Sequence, residues 1–144
     1  MILTFQQVKE DIYNYYINES IKEELLEKSR INTKMSQTYS DMPKGDGGTT
    51  DSVSNEVFRR MMLEMRIKRL NARLEYIDES MCVLNELEKQ VIDYIKKGFK
   101  MTRIAVLLSC PRRKIVYTRD RAIEKIREYA NEKVQICSNE YYKC

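Results

Sequence analysis

The sequence predicts an all-α protein: a long N-terminal helical hairpin followed by a C-terminal helix-turn-helix domain. Three observations carry this. Only Gly45, Gly47, Gly48, Gly98, Pro43 and Pro111 interrupt a chain dominated by Met, Leu, Ile, Glu, Lys and Arg, which favours helices and leaves little material for hairpin turns. Apolar residues recur at three- and four-residue intervals over most of the chain. Residues 84–127 run from a helix through a glycine stop, a short apolar helix and a tight turn into an arginine-rich helix, which is helix-turn-helix order.

At the front, Thr4 and Gln7 form a capping box. Phe5, Val8, Ile12, Tyr15, Tyr16, Ile21, Leu25 and Leu26 then mark one face of a helix over 4–30, bent near Asn18. Its tyrosines are read as a packed face with wet hydroxyls rather than as a base-stacking platform. Residues 31–52, INTKMSQTYSDMPKGDGGTTDS, lose all period and read as a mobile loop. In the next helix Val57, Phe58, Met61, Met62 and Met65 lead into Ile67, Leu70, Leu74, Ile77, Met81 and Leu84, spaced as a heptad seam. That seam can pack on the first helix, the favoured arrangement, or join two subunits as a homodimer through 54–83. The expected division is therefore 1–83 for the hairpin, 84–133 for the helix-turn-helix domain and 134–144 for a frayed tail. A fragment beginning near Met81 is expected to fold.

In the C-terminal domain, Asn85 and Glu88 form a second capping box. Leu84, Leu87, Val91, Ile92 and Ile95 give a buried stripe, and Gly98 stops the helix. Met101, Ile104, Ala105 and Leu108 face inward from the second helix. Ser109 and Cys110 are the turn, Pro111 opens the third helix, and Ile115, Thr118, Ala122 and Ile126 are its inner face.

Charge is unevenly spread. Residues 1–51 hold six Lys/Arg against nine Asp/Glu, whereas residues 84–144 hold fourteen against eight. Between Lys96 and Arg121 stand nine cations and one anion, Asp120. That asymmetry points to a polyanionic partner for the C-terminal part. With no histidine, the Ser-His and Cys-His nucleophile pairs cannot be built. The cysteines Cys82, Cys110, Cys137 and Cys144 lack zinc-site spacing and read as free thiols of a reducing cytoplasm. Gly45-Asp46-Gly47-Gly48 is not followed by Lys-Ser or Lys-Thr, so it is no phosphate loop. No enzyme activity, cofactor, metal, membrane span or secretory leader is expected.

The start of the third helix leaves Arg112, Arg113, Val116 and Tyr117 facing outward, where a helix-turn-helix protein inserts side chains into the major groove of double-stranded DNA. Arginine there can bond a guanine edge, and valine can touch a thymine methyl. Lys100, Thr102, Arg103, Lys114 and Arg121 are placed to reach phosphates.

The pattern Gly98, Ile104-Ala105, Leu108-Ser109-Cys110, Ile115, Arg121-Ala122 and Lys125-Ile126-Arg127 resembles region four of sigma factors. Lys100 stands where such motifs carry Ser or Thr, and Arg103 where they often carry Glu, which adds phosphate-binding charge. The upstream Asp41-Met42-Pro43-Lys44-Gly45, followed by a polar stretch and a long helix, is similar to phage and prophage transcriptional regulators of the ArpU and RinA kind. The resemblance implies a transcriptional activator of late genes, working with host RNA polymerase in the cytoplasm of a bacterial host or phage-infected cell. Two alternatives stand beside it: a small terminase-like DNA-packaging subunit, and a helical adaptor that binds protein and not DNA.

Overall fold

In the computed structural model, which describes residues 2–38 and 50–141, the order is α1 (Phe5–Tyr13), α2 (Tyr15–Thr38), α3 (Thr50–Ser80), a 3-10 turn (Met81–Val83), α4 (Glu86–Lys96), α5 (Met101–Leu107) and α6 (Arg112–Tyr141). Helix is the one regular structure among the described residues, with no strand, so the all-α class holds. Segment 39–49, which includes Asp41–Gly45 and most of the expected loop, lies outside the described residues, as do 142–144.

The first helix is shorter than its pattern implies. It opens at the Thr4–Gln7 capping box, in which the Gln7 amide donates to Thr4 Oγ1 and the Thr4 amide to Gln7 Oε1. It ends at Asn14, one turn before the expected bend at Asn18. The chain is helical on both sides of 39–49, to Thr38 and from Thr50, so helix occupies both ends of the stretch read as loop 31–52. The expected tail at 134–144 also differs: α6 runs on through Tyr141.

Two compact units make up the chain, Met1–Ile17 with Arg73–Cys144, and Asn18–Ala72. The division expected at 83/84 is therefore displaced, and the core explains why. Val8 and Ile12 of α1 and Ile77 near the end of α3 are fully buried in the same cluster as Val91, Ile92 and Ile95 of α4, Ile104 of α5, and Ile115, Ile123 and Ile126 of α6. Each such side chain contributes about 1.5–3 kcal/mol by leaving water. A fragment starting at Met81 would lose three of them, contrary to the expectation that it folds. Two of the buried hydroxyls bond back to their own helices: Ser80 Oγ donates to the Ile77 carbonyl, and Thr118 Oγ1 to the Lys114 carbonyl, both at 2.8 Å, whereas the buried Arg127 Nε has no hydrogen-bond partner among the described residues. Tyr76 donates to Asp11 at 2.7 Å, and burial together with that carboxylate pushes its phenol well above the usual tyrosine range.

In the second unit Leu25 and Leu70 are buried, and Lys28 and Ile31 of α2 border one shallow hollow with Arg59, Arg60 and Leu63 of α3. The apolar stripe of α3 is inward only at its C-terminal end. Leu70, Leu74 and Ile77 are buried, whereas Val57, Phe58, Met61, Met62 and Met65 are exposed.

Candidate nucleic-acid interface

Two left-handed residues shape the segment from α4 to α6. Gly98 has φ +84°. The Gly98 amide donates to the Ile95 carbonyl at 2.8 Å and the Phe99 amide to the Tyr94 carbonyl at 3.0 Å. This doubly bonded stop satisfies the carbonyls that a helix end leaves orphaned, and it brings Phe99 edge-on to Tyr94, ring centres 5.5 Å apart. The same device recurs after α5. Ser109 has φ +51°, its amide donates to Val106 at 3.2 Å, and Cys110 donates to Ala105 at 3.0 Å. A serine accepts there a conformation that glycine adopts without strain. Pro111 follows, and its carbonyl accepts from Ile115, which starts α6.

A buried carboxylate ties α4 to α6. Glu88 is 3% exposed and accepts from the Asn85 amide and from Lys125 Nζ, each at 2.8 Å. Burial alone would raise its pKa, but the Lys125 and Asn85 hydrogen bonds and the nearby Arg121 outweigh this and hold it below the usual range. Sequence reading identified Glu88 only as a cap. Its pairing with Lys125, on another helix, has no sequence signal.

The nine cations between Lys96 and Arg121 separate into two groups. Lys96 is taken up by Asp78 at 2.7 Å and lies over the Tyr15 ring; Arg119 bonds Asp120 and Tyr13. Arg121 is intermediate, 3.8 Å from Glu88 but with a side chain 57% exposed. The other six, Lys97, Lys100, Arg103, Arg112, Arg113 and Lys114, are exposed and have no carboxylate partner among the described residues. Arg103 lies over the Phe99 ring at 4.6 Å and Lys97 over Tyr94 at 5.9 Å, contacts that leave their donors available. The pairings inside the fold thus consume cations outside the first turns of α5 and α6 and leave those within them open.

The expected base readers come together. Arg112, Arg113, Val116 and Tyr117 border one open hollow, with Val116 half-buried and Tyr117 65% exposed. Of the expected phosphate contacts, Lys100, Thr102, Arg103, Lys114 and Arg121 are all exposed. Lys100 occupies the N-cap position of α5 and gives it no side-chain cap. Asp120, which sequence reading left without a role, borders the same hollow as the four readers. Its four-residue step from Val116 and eight-residue step from Arg112 would have placed it there.

Compared with protein-family models, with curated proteins and with solved structures, the chain matches none. Among the described residues no three His, Cys, Asp or Glu side chains gather as a metal site would require, and no helix is long and apolar enough to cross a membrane.

Proposed function

We propose that the chain is a sequence-specific double-stranded DNA-binding regulator of transcription, acting in the cytoplasm of a bacterial or phage-infected cell. The observation that carries this reading is the set of six open cations around α5 and the first turn of α6, in a stretch whose Lys96 and Arg119 are paired with Asp78 and Asp120. Unneutralised cations clustered on a rigid helical surface release counterions from DNA on contact, which drives binding. Arg112, Arg113, Val116 and Tyr117 would read base edges, and Lys100, Thr102, Arg103, Lys114 and Arg121 would hold phosphates. The process is equilibrium recognition without covalent chemistry. The resemblance to ArpU- and RinA-like regulators extends the reading to activation of late genes with host RNA polymerase. A homodimer through 54–83 would supply the second half-site.

The test compares Arg112→Ala and Arg113→Ala with Lys100→Ala and Arg103→Ala on a selected and a random duplex. The first pair lowers binding to the selected duplex by about 1–3 kcal/mol more than to random DNA. The second pair weakens both alike. Equal loss from all four contradicts the placement of α6 as the reading helix. Two observations separate the alternatives: a large ring by mass points to the packaging subunit, and no duplex binding at moderate salt points to the adaptor.

A further inference from the structure

Asp120 is an anion on a surface otherwise fit for a polyanion. α6 begins at Arg112, and positions 112, 113, 116, 117 and 120 fall on one stripe of a 3.6-residue helix. Their five side chains border the same hollow. A carboxylate there repels phosphates, so it costs general affinity.

Its setting gives it a use. Arg119 donates to Asp120 Oδ1 from Nε at 2.8 Å, with Nη2 2.6 Å from the same oxygen. The Arg119 side chain is itself only 14% exposed, and its Nη1 donates to the Tyr13 hydroxyl at 3.2 Å. The carboxylate is therefore anchored from beneath through one oxygen. Its Oδ2 has no partner among the described residues, and the side chain is 45% exposed. The result is a fixed acceptor within a surface of donors. In the major groove the cytosine edge offers a lone donor, the N4 amine, which carboxylates accept. Adenine offers its N6 donor beside the N7 acceptor, which would repel the carboxylate.

We infer that Asp120 is a specificity-determining residue that accepts a hydrogen bond from the N4 amine of a cytosine, with Arg119 and Tyr13 positioning it. This rests on the DNA-binding reading above. Asp120 stands about 12 Å along the helix from Arg112, so the base pair it reads is distinct from the one Arg112 reads.

The experiment selects duplexes from a randomised pool with full-length wild-type protein, Asp120→Ala and Asp120→Asn, then measures affinities on duplexes differing at single pairs. Asp120→Ala loses a cytosine preference of about fivefold or more at one pair, while its binding to random duplex tightens. Asp120→Asn moves the preference at that pair toward adenine, whose N6 and N7 suit an amide. Tyr13→Phe, which frees Arg119, weakens the preference at that same pair and at no other. If wild type selects a sequence and both Asp120 variants select the same one with uniformly tighter binding, Asp120 only tunes charge and this inference falls alone. If wild type retains no duplex, the DNA-binding reading falls with it.

Discussion

The side-chain amide of Asn131 pairs with both backbone groups of Leu3. The Leu3 amide donates to Asn131 Oδ1 at 2.8 Å, and Asn131 Nδ2 donates to the Leu3 carbonyl at 3.1 Å. One carboxamide thus ties the start of the chain to the middle of α6 and seats α1 against the helices that carry the candidate interface. Asn131→Ala should cost about 1–2 kcal/mol, the net worth of two partly buried hydrogen bonds. Ile12→Ala, which empties a fully buried site, should cost about 2–5 kcal/mol. Both are read from urea unfolding of the full chain. An Ile12→Ala protein as stable as wild type would contradict a core shared by α1 and α6.

The turn before α6 carries avoidable strain. Ser109 is exposed, so replacing it removes no packing. Ser109→Gly should raise stability by on the order of 0.5–1 kcal/mol, the relief at positive φ less the entropy of a more flexible unfolded chain. A fall in melting temperature would contradict the account of this turn.

Lys100 sets stability against binding. Its position at the N-cap of α5 calls for Ser, Thr, Asp or Asn, and Lys100→Thr should stabilise the fold by about 0.5–2 kcal/mol. The same change should weaken DNA binding and reduce the salt slope by about one unit. Thermal melts and binding isotherms on one preparation check both. A variant that gains stability and binds DNA as wild type does would remove Lys100 from the interface.

Acid should loosen the α4–α6 junction. Glu88 has a folded pKa below its unfolded value, which is about 4.3. The unfolded chain therefore takes up the proton first. The stabilisation is complete above the unfolded pKa and is lost as pH falls through the folded one. Glu88→Gln should be less stable near neutrality and show a flatter loss on acidification. Parallel acid limbs for the two proteins would show that Glu88 contributes no linkage.

Helix chemistry was legible in the sequence where a cap or stop residue marks it, but not at the Asn14 break or in the helical ends of 31–52. The Thr4–Gln7 box, the Gly98 stop, the start of α4 after Asn85 and the inner face of Ile115, Thr118, Ala122 and Ile126 all follow from spacing and residue type. Long-range partners were not legible. Val8 and Ile12 look like any amphipathic stripe, and nothing in their spacing says that they pack with Ile104 and Ile123 rather than within an N-terminal hairpin. The cation cluster was visible as a count, but its division into neutralised and open members depends on Asp78, Tyr13 and Glu88, which come from other helices. Asp120 was visible as the one anion among the cations, and the helical period alone places it beside Val116 and Arg112.

The central claim is tested most directly by titrating one duplex against full-length protein from low to high salt. If Lys100, Arg103, Lys114 and Arg121 each neutralise one phosphate, log K should fall with log salt at a slope of about −3.6. A flat response, or no binding at low salt, would contradict the nucleic-acid reading of this surface.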